Sequence, residues 1–183
     1  NGHTNDYDHA SPDMLMRRTH ADRLRMYEVH MTDNSLDACC RLLGDVIGGH
    51  QALVVTTPTV AATYAQAIWR PLQAVDNKVS LMVLYCDEAT KSYDQALRIC
   101  QQASEIGLDR TGFLVALGGG VCSDIVTVAA SWIRRGIRHI RVPTTLIGQI
   151  DAGIGIKGAV NFEGKKSYLG CFYPPEAVVI RTA

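Results

Sequence analysis

The sequence has no surplus of either charge. Lys and Arg total 18 and Asp and Glu total 18 over 183 residues, a formal net charge of zero. Nothing in that balance attracts nucleic acid or an anionic membrane, so neither partner is expected. No apolar run approaches the roughly 20 residues of a membrane span, and the first residues lack the apolar core of a signal peptide. Six cysteines are present and none forms a CxxC pair. Most sit inside apolar helix or strand patterns, as buried reduced thiols of a cytoplasmic protein do. Cys122 stands apart, because a helix N-terminus can lower a thiol pKa. Internal repeats, low-complexity runs and linkers are missing too.

What is present is an ordinary globular composition, 47% hydrophobic and 20% charged, in a chain long enough for one domain with a core. Residues 1–22 are polar and unpatterned and read as a disordered or tag-like tail. Residues 23–183 read as one α/β domain. Alternation around Arg23–Met31 predicts a strand, and Leu36, Cys39, Cys40, Leu43, Val46 and Ile47 predict a helix stopped at Gly48–Gly49. Strands are expected at Ala52–Val55, Val79–Tyr85, Phe113–Leu117, His139–Val142 and Ala177–Ile180. Helices are expected from Pro58 to about Ala74, from Ser92 to Ile106 with Gly107 as C-cap, and from Val121 to Trp132. Thr57 precedes the first of these as N-cap, and Pro71 is expected to end or kink it. Alternating strands and helices joined by short loops predict a parallel, Rossmann-like sheet covered on both faces. The polar segments at its strand ends, 56–59, 86–92, 118–120 and 143–145, would then line one cleft. The glycine-interrupted stretch Ile150–Val160 reads as a bent strand or hairpin over that cleft.

Two features carry chemistry. The first is Gly118–Gly120 between an apolar strand and an apolar helix, a geometry that presents backbone N–H groups to a phosphate. It is not a GxGxxG fingerprint, since Ser123 holds the third position. Asp124, expected in the first turn of the helix, suits the helix dipole or a ribose or neighbouring loop as partner. The second is the group Asp151, Lys157 and Lys166 among Gly, Ile, Ala and Val, where buried charges must be paired or used. A basic cluster, Arg134, Arg135, Arg138 and Arg141, lies just upstream and reads mostly as solvated surface. No His, Cys, Asp or Glu spacing matches a metal-ligand motif.

The stretch GGGVCSDIVTVAASWIRRG, followed by VPTTLIGQIDAGIGIKGAVNFEGKKSYLGCFYPP, resembles the dehydroquinate synthase-like sugar-phosphate cyclases. These include dehydroquinate synthase, 2-deoxy-scyllo-inosose synthase and the 2-epi-5-epi-valiolone synthases. The resemblance covers the family's N-terminal, NAD-binding half. It implies that Gly119, Gly120, Val121 and Asp124 form an NAD-binding turn and that Thr144, Thr145 and Ile147 run along the dinucleotide. Glu88 and Lys91 match a motif near the adenosine side. Asp151 matches a residue meeting cofactor and substrate hydroxyls, Lys157 a substrate phosphate ligand, and Lys166 a nicotinamide-side lysine. Arg135 matches an arginine that reaches the phosphate of a neighbouring subunit's substrate, which implies a homodimer.

The sequence departs from the family at the ribose-binding acid and asparagine, which fall at Thr57 and Thr59. It departs again at Gly158, where threonine is expected, and at Ser167, where asparagine is. The resemblance further implies a zinc or cobalt ion held by a helical C-terminal domain beyond this chain, so that this chain alone would not turn over. The expected substrate is a sugar phosphate, either sedoheptulose 7-phosphate or 3-deoxy-arabino-heptulosonate 7-phosphate. The competing readings are a domain of a metal-dependent alcohol or glycerol dehydrogenase-like enzyme and a non-catalytic nucleotide-binding domain.

Overall fold

Strands β2 (Ala52–Thr56) and β4 (Phe113–Gly118) are buried along their whole length. In the computed structural model, which describes residues 27–32, 36–75 and 78–181, they lie side by side in a six-stranded sheet. The others are β1 (Glu28–Thr32), β3 (Val79–Val83), β5 (Arg138–Pro143) and β8 (Ala177–Arg181). Their order is β1-β8-β5-β4-β2-β3, and every neighbouring pair is parallel. The parallel, Rossmann-like sheet is therefore as expected. Strands buried on both faces need apolar residues at every position, which is why β2 and β4 read as continuous rather than alternating runs.

Alternation sorts their side chains between two cores. Leu53, Val55, Leu114 and Ala116 pack under helices α3 (Tyr93–Glu105) and α4 (Gly120–Trp132). Ala52, Val54, Phe113, Val115 and Leu117 pack against α1 (Leu36–Ile47) and α2 (Gln66–Val75). Strand β5 breaks the pattern. Ile140 and Val142 join the α1–α2 core, while His139 and Arg141, which alternate with them, are fully buried as well. Arg141 is thus not part of a solvated cluster. Arg134 and Arg135 are exposed, and the Arg138 guanidinium lies 3.9 Å over the Phe113 ring.

Pro71 neither ends nor interrupts its helix, which runs on to Val75. Proline removes the donor for the carbonyl four residues back. The Cys40 thiol, 3.3 Å from the Ala67 carbonyl, takes that place. The lead-in is Pro58–Val60 followed by a π-helical turn, Ala61–Ala65. Thr57 has the extended N-cap backbone, but its side chain makes no capping bond.

The hairpin is displaced from its expected position. Ile150–Val160 is not its location: Gly148–Ala152 is a π-helical turn, and the strands are β6 (Lys157–Phe162) and β7 (Lys165–Phe172). They join through Glu163–Gly164, both at positive φ (46° and 74°), the two-residue geometry that matches strand twist. Asn-Gly or Asp-Gly would have signalled it; Glu-Gly does not. The hairpin packs on α4, with Val160 buried there. The expected tail, residues 1–22, lies outside the described residues, as do Leu24 and Met26 of the first expected strand.

Candidate cofactor and substrate site

Strand β2 leads outward to β3, and β4 then re-enters on the other side of β2. The connections diverge there, so a crevice opens at the carboxyl ends of β2 and β4, where ligands of open α/β sheets bind. Thr56 Oγ1 donates to the Leu117 carbonyl at 2.8 Å and ties the two strand ends together. A side chain at Gly118 would meet Cys122 Cβ at 2.9 Å, so the turn needs glycine there. Gly119 is the extended N-cap of α4. A Cβ on it would stand 3.2 Å from Thr145 Cγ2, across the crevice from the strand β5 end.

Thr144 N–H donates to the Gly118 carbonyl at 3.0 Å, and Thr145 Oγ1 accepts from Gly148 N–H at 3.1 Å. The buried Thr144 hydroxyl finds no partner among the described residues. Helix α4 meanwhile brings its first N–H groups, which have no intrahelical acceptors, to the same edge. Ile147 is exposed beside them. A glycine cradle, free helix-end donors and an unpartnered hydroxyl fit a dinucleotide phosphate bridge.

Asp124 is not in the first turn of α4 but one turn further in, facing a loop rather than the helix end. Its carboxylate meets Lys91 Nζ at 2.5 Å, and Lys91 is 4% exposed. Burial pushes the Asp124 carboxyl above the ordinary carboxylate range, while Lys91 and then Arg141 pull it back. A second pair, Lys166 Nζ to Glu88 Oε1 at 3.3 Å, is exposed. Asn161 joins the two. Its N–H donates to the Lys91 carbonyl at 2.7 Å, its side-chain amide to the Glu88 carbonyl at 2.9 Å, and its Oδ1 accepts from Ser167 N–H at 2.8 Å. The hairpin tip is thereby stapled to the 86–92 loop.

Beside this network lies a cleft of about 500 Å³, lined by Asp124, Gly155, Lys157, Gly158, Ser167 and Cys171 among others. Lys157 is exposed to it. The structure thus gathers Glu88, Lys91, Asp124, Lys157 and Lys166 around the hairpin, and Gly119, Gly120, Thr144, Thr145 and Ile147 around the crevice. Asp151 has its backbone in the π-helical turn between the two groups.

Arg135 is not among them. It stands past the far end of α4, about 20 Å from Gly120 at the rise of an α-helix, exposed and at φ 67°. Arg134 before it is at φ 53°. Two consecutive non-glycine residues in that region are uncommon. Cys122 carries no lowered pKa: the thiol is fully buried and pushed up by desolvation, the packing role that its place in the turn favours.

The sequence profile described as 3-dehydroquinate synthase N-terminal matches residues 81–183, more than half of the chain. The chain belongs to that family. A 2-epi-5-epi-valiolone synthase of Streptomyces glaucescens is 38% identical over 153 residues, 82% of this chain and 39% of that protein. A 3-dehydroquinate synthase of Desulforamulus reducens is 35% identical over 159 residues, 87% of this chain and 44% of that protein. Among solved structures, ValA, the 2-epi-5-epi-valiolone synthase of Streptomyces hygroscopicus with NAD+ and Zn2+ bound, superposes with a TM-score of 0.76. It is 32% identical, over 86% of this chain and 43% of that one. The chain spans less than half the length of these relatives.

Of the two departures near the cleft, the one at Gly158 has a local cause, and nothing in the structure explains the one at Ser167. A Cβ at Gly158 would meet Thr127 Cγ2 at 2.6 Å, so Thr127 already fills the space a threonine at 158 would need. Ser167 is at φ 51°, where asparagine is the better tolerated residue. Sequence reasoning missed Thr127, Arg141 and Asn161. An asparagine inside an apolar strand, poorly suited to a pleated surface, was the one available signal for Asn161. No group of three or more His, Cys, Asp or Glu among the described residues could hold a metal ion.

Proposed function

We propose that this chain is the NAD-binding part of a sugar-phosphate cyclase that eliminates phosphate from sedoheptulose 7-phosphate or 3-deoxy-arabino-heptulosonate 7-phosphate and closes a carbocycle. The observation that carries the reading is the pairing, in a member of this family, of a glycine-lined crevice at the β2–β4 strand ends, where α4 begins, with a lysine-bearing cleft that Asp124 of α4 lines. NAD supplies hydride acceptance and return, so that a full turnover is redox-neutral.

The residues of this chain bind and orient. Gly119, Gly120 and Val121 bring backbone donors to the pyrophosphate, and Thr144, Thr145 and Ile147 flank the dinucleotide. Glu88 and Lys91 border the adenosine side, with Thr57 and Thr59 at the ribose. Lys91 is already engaged with Asp124, so its part is to hold the 86–92 loop on α4. Asp151 accepts hydrogen bonds from cofactor and substrate hydroxyls. Lys166 stands on the nicotinamide side, and Lys157 binds the substrate phosphate. Arg135, remote from this cleft and held in an uncommon backbone conformation, reaches the substrate phosphate of a second subunit in a homodimer. A zinc or cobalt ion would be held by residues other than those described. The enzyme is placed in the cytoplasm, with no nucleic acid or membrane partner.

The test is stoichiometry with the native polypeptide, NAD, a divalent metal and each sugar phosphate. Release of inorganic phosphate without net NADH is expected. NADH accumulating without phosphate would establish the dehydrogenase alternative, and the absence of both would leave a nucleotide-binding domain without catalysis.

A further inference from the structure

Arg141 is one of the largest fully buried side chains of the molecule. Strand alternation places it opposite the apolar core formed by Ile140 and Val142, beneath α4 and the turn that precedes β6. Its guanidinium serves that turn. Nη1 donates to the carbonyl of Gly155 and, at 3.4 Å, to that of Gly153. Nη2 donates to the Lys157 carbonyl at 3.0 Å and to Thr127 Oγ1 at 2.9 Å. Three alternate carbonyls, at 153, 155 and 157, are gathered on one planar group, which a flexible ammonium could not span.

Thr127 closes the other side. Its hydroxyl donates to the Ser123 carbonyl at 2.7 Å, and its methyl leaves no room for a side chain at 158. The backbone on both sides of Lys157 is therefore fixed to buried groups, while the Lys157 side chain remains free to face the cleft. Asp124, Tyr27 and Cys171 are the titratable groups that act on the guanidinium, and His139 also lies near it.

We propose that Arg141 is a positioning residue for anion binding at Lys157. It holds the 153–158 backbone so that the Lys157 ammonium meets a substrate phosphate, and it places a desolvated positive charge beneath that phosphate. This rests on Lys157 being the phosphate ligand.

The experiment titrates inorganic phosphate into the NAD-loaded native polypeptide by calorimetry, with NAD affinity and the KM–kcat split measured in parallel. Lys157→Ala should abolish phosphate binding. Arg141→Lys should weaken it by about tenfold, the scale of a lost charged hydrogen-bonding fork, and raise KM for the sugar phosphate more than it lowers kcat. Thr127→Val, which keeps the charge and shape but removes one anchor of the fork, should weaken phosphate binding by a smaller factor. NAD affinity should stay within about twofold in all three, since none lies at the glycine crevice. Arg141→Met should be the most severe; if it fails to fold, Arg141→Lys and Thr127→Val decide. Phosphate affinity unchanged in both of these, with Lys157→Ala inactive in binding, would overturn the role of Arg141 and leave the Lys157 assignment standing. Phosphate binding that survives Lys157→Ala would overturn the assignment itself, and the Arg141 proposal with it.

Discussion

His139 is buried under the Tyr173 ring, 5.4 Å between centroids, and its Nε2 lies 3.3 Å from Thr127 Oγ1. Burial, and then the Arg141 charge, push its pKa down to about 3. The folded protein keeps it neutral, whereas the unfolded chain takes up a proton below about 6.5. Stability from this group is complete above that pH and is lost as the pH falls toward 3, with a slope of up to about 1.4 kcal/mol per pH unit. Urea midpoints measured between pH 7 and 5 should fall more steeply for the wild type than for His139→Leu.

Gly158 makes a second prediction at this scale. Gly158→Ala sets a Cβ 2.6 Å from Thr127 Cγ2 and should cost about 1–3 kcal/mol in denaturant titration. Neither residue was legible as half of a pair, because the two lie on different elements and only packing brings them together. Gly119 was legible, because a strand–glycine–helix sequence prescribes its own local geometry.

Among the elements, the hairpin β6–β7 shows where pattern reading stops. Most of β7 is exposed, so it lacks the apolar alternation that marks a half-buried strand. Its position is set instead by Asn161 and by the packing of Val160 on α4. Asn161→Ala should leave the Glu88 carbonyl and the Ser167 N–H without their protein partner. Both bonds face solvent, so the loss should cost about 0.5–1.5 kcal/mol, and proteolysis within 162–165 should speed up, as read by limited digestion.

The Lys91–Asp124 pair does for the 86–92 loop what Asn161 does for the hairpin. Breaking a buried pair strands one charge. Lys91→Met and Asp124→Asn should each therefore destabilise by about 3 kcal/mol, and the double variant by less than the sum in a mutant cycle. That Lys91 would be engaged by Asp124, 33 residues away, was not readable. The resemblance implied each residue as a cofactor contact; a neighbouring loop was one expected partner of Asp124, and the fold uses the two residues on each other.

For the molecule as a whole, the parallel sheet was legible because a strand buried on both faces cannot hide its composition. Once β2, β4 and β5 lie side by side, Thr56, Gly119 and Thr145 must stand at one edge. The charges of β5 were not legible. Arg141 looks like a surface residue in a basic cluster until α4 and the hairpin cover it, and burial of that kind depends on elements distant in sequence.

The central claim is that the β2–β4 crevice holds NAD. Calorimetric titration of NAD into the native polypeptide and its Gly119→Val variant tests it most directly, because the added side chain would project toward Thr145, whose Cγ2 stands 3.2 Å from the Cβ position. Saturable binding of one NAD per chain that Gly119→Val abolishes, with the folded spectrum retained, is the result expected. Absence of NAD binding by the wild type, or binding unchanged by Gly119→Val, would contradict the claim.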